Sequence, residues 1–253
     1  MTISLQASAD GLSGKIQIGG VDVANFGANI PLSHRNKIIN GSFLVNQRAY
    51  VSAAAVGAGL YGHDRWKMAA SGDTYTFSTT ANKTTITIPS TKVLRQIIEG
   101  LNLQTGTYCL SWEGTAQGKI GAGAYGTSGV TGAITGGVAT TIEFGPGTVA
   151  NVQLEMGSVA TPFEYRPIST ELALCQRYYE VMQGQIDTAQ NGASFTYTTW
   201  FYKVTKRAVA TIVHGAGTTA GAAVNSNLLD AYQATISSSA LRLTQGTTAT
   251  SEL

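Results

Sequence analysis

The sequence changes its period between Ala150 and Val181, ANVQLEMGSVATPFEYRPISTELALCQRYYEV, and that change divides the chain. Val152, Leu154 and Met156 alternate with Asn151, Gln153 and Glu155, the period of a strand with one buried face. Gly157 and Ser158 interrupt it. Pro162 and Pro167 then hold an extended connector, because proline fixes φ and disfavours helix in the residue before it. Beyond Pro167, Leu172, Cys175, Tyr179 and Met182 recur at helical spacing. Ser169 or Thr170 is available as a cap, Glu171 suits the first turn and Gly184 is the stop. One domain therefore closes near residue 168, and a linker helix over 169–183 leads into another.

Residues 36–168 read as a β-sandwich or barrel. Short apolar alternations occur at Ile38/Ile39, Phe43/Val45, Tyr75/Phe77, Ile86/Ile88, Tyr108/Leu110/Trp112, Ile142/Phe144 and Val152/Leu154/Met156. Turn residues separate them. Val93, Leu94, Ile97, Ile98 and Leu101 fit either a helix or a strand buried on both faces. The glycine-punctuated stretch 114–141 reads as short strands joined by loose loops, with a flexible loop as the alternative. Residues 1–35 carry a hairpin, Lys15–Ile18 and Val21–Val23 around Gly19-Gly20, too small to bury a core alone. Residues 184–253 read as about four strands, a sheet that oligomerisation would help. There, Phe195 and Tyr197 alternate in one phase and Trp200, Tyr202 and Val204 in the other, which predicts a bulge or tight bend at Thr198-Thr199.

Charged residues are only 12% of the chain, against roughly 25% in an average domain, which points to surface covered by partners. Net charge is +2, and the densest basic group, Lys203, Lys206 and Arg207, reads as a solvated strand end. Nucleic-acid binding through phosphate neutralisation has little support. No apolar run approaches the ~20 residues of a membrane span, so membrane insertion is not expected. The N-terminus lacks the basic and apolar regions of a signal peptide, and synthesis in a cytoplasm is expected. Cys109 and Cys175 read as buried free thiols, with a disulfide left open. His34, His63 and His214 lack metal-ligand spacing, and no cofactor or metal is expected. Glu99, Glu113 and Glu143 are the carboxylates from which a glycosidase pair could form, although the sequence does not pair them. Trp66 reads as core, Asp64 and Arg65 as loop-fixing groups, and Glu155 with Arg166 as an ion pair.

NKIINGSFLVNQRA (36–49), HDRWKM (63–68), LRQIIEGLNL (94–103), YCLSWEGTAQGKI (108–120), VQLEMGSVATPFEYRP (152–167) and ELALCQRYYEV (171–181) occur in this order. Together they resemble a group of tailed-bacteriophage tail-fibre and receptor-binding proteins. The resemblance implies an all-β chain: a carbohydrate-binding-module-like jelly roll over 36–168, the linker helix, and a small C-terminal β-domain as receptor-binding tip. It also implies a strand at 93–101 and a homotrimer, with Leu172, Cys175, Tyr179 and Met182 facing sister helices. By position, residues 1–35 resemble a segment attaching the fibre to tail or baseplate proteins of the virion.

Sugar recognition needs exposed aromatic faces beside polar groups. Tyr197, Trp200, Phe201 and Tyr202 form the densest aromatic cluster, in the expected tip, with a small core as the alternative role. Tyr61 and Tyr125 sit in glycine-rich loops and form the second candidate set. The expected function is a non-enzymatic virion protein that binds host glycan. The alternatives are a purely structural virion protein (collar, head fibre or baseplate adaptor) and a glycan-cleaving enzyme.

Overall fold

The computed structural model describes residues 34–56, 61–70, 72–189, 196–216, 218, 223–236 and 240–253, together with the backbone of three strands nearer the N-terminus. Those three are β1 (Ile3–Ala7), β2 (Gly14–Ile18) and β3 (Val21–Phe26), paired as an antiparallel meander. β2 and β3 form the expected hairpin, with Ile18 opposite Val21.

Nine strands follow in two antiparallel sheets. They are β4 (Lys67–Met68), β5 (Thr76–Thr80), β6 (Lys83–Ile88), β7 (Leu94–Ile98), β8 (Gly106–Glu113), β9 (Gly118–Ile120), β10 (Val130–Ile134), β11 (Thr140–Phe144) and β12 (Gly147–Met156). One sheet runs β10-β8-β12-β6-β5 and the other β4-β7-β11-β9. The fold is thus all-β and sandwich-like. The ambiguous segment 93–101 is strand β7, with Leu94, Gln96 and Ile98 buried, followed by a single 3-10 turn at Gly100–Asn102. β7 and the following β8 lie in different sheets. The glycine-rich stretch contributes β9, β10 and the start of β11.

Trp66 fills the sandwich centre. It is fully buried between Phe43 at 4.7 Å and Phe144 at 6.0 Å, and its Nε1 donates to the Asn40 carbonyl at 2.9 Å. The segment around Ile38–Val45 is turns and irregular chain, not strand. Asn40 explains this: at φ 57° its side chain bonds both backbone groups of Val45, doing locally what a ladder would do. Gly41 allows the chain to pass β12 closely, since a Cβ there would lie 2.2 Å from the Val152 carbonyl oxygen.

β12 departs from the half-buried expectation. Every residue from Val149 to Glu155 is buried, because the 157–167 connector folds back over its polar face. Thr161 donates to Glu155 from both N–H and hydroxyl, and the Glu164 N–H donates to Gln153. The expected Glu155–Arg166 pair does not form. Glu155 faces Arg35 at 3.5 Å, and Arg166 faces Glu171 at 3.3 Å.

Helix α1 (Ile168–Gln176) ends well before Gly184, and neither Ser169 nor Thr170 caps it. The C-terminal unit follows: β13 (Tyr179–Val181), β14 (Ile186–Ala189), β15 (Thr196–Phe201), β16 (Thr211–Val213), β17 (Ala223–Asn227), β18 (Ala231–Ile236), β19 (Ala240–Leu243) and β20 (Thr248–Thr250). They make three small sheets, β13-β20-β16, β14-β19 and β15-β18-β17, in place of one four-stranded sheet. β15 pairs with β18 in unbroken register, so no bulge occurs at Thr198-Thr199. Thr198 is buried on the same face as Trp200 and Tyr202, and its polar character disguised one continuous phase.

His63 is buried under the sandwich loops, its Nδ1 2.8 Å from the Tyr75 hydroxyl. Burial lowers its pKa from 6.5 to about 4. The unfolded chain therefore takes up this proton first as pH falls. His63 contributes its full stability above pH 6.5 and loses about 3 kcal/mol of it as pH drops to about 4. Neighbouring Asp64 runs oppositely. Burial raises it to about 6 against the pull of Arg48 and Gln47, so its protonation favours the fold over the same window. His63→Gln removes only the first effect. Denaturant unfolding should show the variant gaining on the wild type from pH 6.5 to 4; parallel curves would contradict this.

Candidate functional site

One row of side chains crosses the outer face of the β4-β7-β11-β9 sheet. Alternation sends Leu94, Ile142 and Ile120 into the sandwich and leaves Arg95, Glu143 and Lys119 outside. Register then aligns them: Tyr61 bridges to Lys67, Lys67 lies opposite Arg95, Arg95 opposite Glu143, and Glu143 opposite Lys119. The Lys119 ammonium stands 5.0 Å from the Tyr125 ring centre. Five steps of strand spacing make the row roughly 24 Å long, with an aromatic at each end.

The two ends differ. At the Tyr61 end the C-terminal segment closes the surface: the Tyr61 hydroxyl donates to the Leu253 main-chain oxygen at 2.6 Å, and Lys67 Nζ donates to it at 2.7 Å. Burial there pushes the Tyr61 phenol up to about 12, with the charge of Glu252 adding to it. The Tyr125 end is open. Tyr125 is 39% exposed, and its hydroxyl donates to Glu143 Oε2 at 3.3 Å. Glu143 also receives Lys119 at 2.9 Å and Arg95 at 3.5 Å. Arg95 and Glu143 form one wall of a cleft of about 610 Å³, completed by Thr135, Thr141, Val138 and the turn at Gly121–Gly123. Arg95 Nε is buried without a hydrogen-bond partner among the described residues.

No family model, curated protein or solved structure matches the chain. Arg95, Glu143 and threonine hydroxyls line the cleft, and Lys119 and the flat ring of Tyr125 continue the row beside it, a set suited to a polyhydroxylated ligand.

The other sequence-predicted residues lie elsewhere. Trp200 and Tyr202 are buried 5.2 Å apart, edge to face, in the C-terminal core with Tyr232 and Leu243, so they cannot stack on a sugar. The Tyr197 side chain lies outside the described residues. Phe201, on the opposite face of β15, is 73% exposed. The four residues expected to face sister helices do not form one helical stripe. Leu172 and Cys175 lie on α1, packed with Ile39, Val45 and Tyr178 of their own chain, and Cys175 has no exposed surface. Tyr179 lies in β13 with the Arg48 guanidinium 3.6 Å over its ring, and Met182 is buried in the C-terminal core. Cys109 and Cys175 are both free and buried.

The three candidate carboxylates stand apart. Glu99 is buried against Arg177 at 3.1 Å and the Tyr178 hydroxyl at 2.8 Å. Glu113 is on the outer face of the five-stranded sheet with Lys83, and Glu143 is on the opposite sheet. Among the described residues, no three His, Cys, Asp or Glu side chains gather as a metal site, and no helix is long and apolar enough to cross a membrane.

Sequence reading missed a charged joint between sandwich and C-terminal unit. Arg65 is buried against Glu252, the Ile97 carbonyl and the Tyr178 ring, and Arg48 reaches both Asp64 and Glu252. Lys206, read as solvated, is completely buried on Glu180, and Arg207 donates to the Ser251 and Glu252 carbonyls. Arg65 and Glu252 lie 187 positions apart in the chain, so no local pattern signals such a joint.

Proposed function

We propose that this chain is a bacteriophage virion protein of the tail-fibre, receptor-binding kind, which holds a host surface glycan without cleaving it. The observation that carries the binding role is the open Tyr125–Lys119–Glu143–Arg95 face beside its cleft. The separation of Glu99, Glu113 and Glu143, each already paired with a cation, favours binding over hydrolysis. Strand order supports the jelly-roll reading: the last strand, β12, inserts between β6 and β8, and β11 between β7 and β9, as interleaved Greek keys require. On this reading the recognition surface belongs to the sandwich, with the C-terminal unit as packing module. Exposed Phe201, Val209 and Val213 offer apolar surface for sister copies in a homotrimer, and residues 1–35 join the assembly to tail or baseplate proteins.

Immobilised bacterial surface polysaccharides test the reading. Retention of the protein without release of reducing ends is expected. Release of oligosaccharide would make it an enzyme. Tight binding to a baseplate protein with no polysaccharide retained would make it a structural adaptor.

A further inference from the structure

We propose a second saccharide platform, on the opposite sheet, where Tyr165 with Asn82, Lys83 and Glu113, anchored from beneath by the buried Asn151, takes the apolar face of a neutral pyranose. This goes beyond the Tyr125 face, shares no residue with it, and would make each chain bivalent.

Tyr165 is 54% exposed yet anchored by its hydroxyl and by a neighbouring ring. Its hydroxyl accepts from Asn151 Nδ2 at 3.0 Å, and Phe163 packs edge-on at 4.8 Å and 86°. A ring fixed in this way loses little freedom on binding and presents a flat face to C–H groups. Polar groups with both donor and acceptor capacity surround it. Asn151 Nδ2 also donates to Glu113 Oε1 at 2.7 Å, and Glu113 pairs with Lys83; that carboxylate is half exposed and has acceptor capacity left. Asn82, at the exposed tip of the β5–β6 hairpin, and Ser42 line a recess of about 210 Å³ against Tyr165 and Phe163. Glu113 with Lys83 and Glu171 with Arg166 cancel in charge, and Glu164 leaves the lining of the recess net negative, which disfavours an acidic sugar, whereas Arg95 and Lys119 outnumber Glu143 on the other face.

The backbone is specialised at the same place. β12 shifts register between Ala150 and Gln153, and Asn151 adopts φ 47°. This bulge carries the amide that anchors both Tyr165 and Glu113. A bulge that re-aims a side chain is a recurrent device beside binding sites.

Ring-proton NMR of the tyrosine-labelled wild-type protein tests the proposal, with methyl glucoside, methyl galactoside and N-acetylglucosamine as probes. Tyr165→Phe identifies the Tyr165 resonance and, because it keeps the ring, should keep binding. At least one probe should shift that resonance. Tyr165→Ala should raise its Kd about tenfold, and Tyr125→Ala should leave it unchanged. A Tyr165 resonance unmoved by all three probes, or binding that survives Tyr165→Ala, overturns the proposal. Binding abolished by Tyr125→Ala alone would overturn it while leaving the first face intact.

Discussion

Lys206→Met should destabilise the protein by about 3–5 kcal/mol, a large share of the stability of a small domain. Lys206 and Glu180 both have completely buried side chains, and their N–O separation is 2.6 Å. Lys206 Nζ also donates to the Gln176 carbonyl at 2.6 Å and lies 4.7 Å from the Tyr202 ring. Burial lowers the lysine pKa, and the Glu180 carboxylate works against that shift. Methionine keeps the stem volume but leaves the buried Glu180 carboxyl group without its cation, held by the Lys203 N–H. The double variant Lys206→Met/Glu180→Gln should recover most of the loss, because no uncompensated charge remains. Urea unfolding of wild type, single and double variants measures this. A single variant within about 1 kcal/mol of wild type would contradict it.

Cys175→Asp should cost on the order of 4 kcal/mol, with the loss arising inside one chain. Cys175 has no exposed surface, and burial holds its thiol well above the ordinary value, with Asp64, Glu171 and Glu252 contributing in the same direction. A carboxylate there would meet the same buried surroundings and three like charges, with Arg65 as the one opposing charge. The cluster it belongs to ties α1 to Ile39 and Val45 of the sandwich. Cys175→Ala, which removes one small group and adds no charge, should cost only about 1 kcal/mol. Melting followed beside light scattering separates this expectation from the helical-stripe one. Loss of oligomer at unchanged melting temperature would restore the sister-helix reading.

The sandwich was legible because its strands carry their own period and turn residues. β6, β8, β11 and most of β12 follow from local alternation, as does the β2–β3 hairpin. What failed depended on partners distant in sequence. Apolar spacing continues from Leu172 through Met182, yet the chain leaves the helix after Gln176 because Tyr179–Val181 finds a ladder with Thr248–Thr250. Lys206 looks like a surface lysine until Glu180 is placed beside it. The outer polar face of β12 looks solvated until the 157–167 connector covers it. The proposed binding face is half legible: Tyr61 and Tyr125 stand out in glycine-rich loops, but three strand registers are needed to put them in one row with Lys67, Arg95, Glu143 and Lys119. Tyr165 gave no local signal, since its exposure follows from the fold-back of the connector.

The most direct measurement is titration of wild type and Tyr125→Ala with a retained surface polysaccharide, or an oligosaccharide cut from it. Tyr125 is 39% exposed and makes one long hydrogen bond and one cation contact at the surface, so its truncation should change the melting temperature little. The expected result is saturable binding by wild type and an affinity about tenfold or more weaker for the variant. Equal affinity in a folded Tyr125→Ala protein, with Trp200 and Tyr202 still buried, would contradict the placement of polysaccharide recognition on the Tyr125 face of the sandwich.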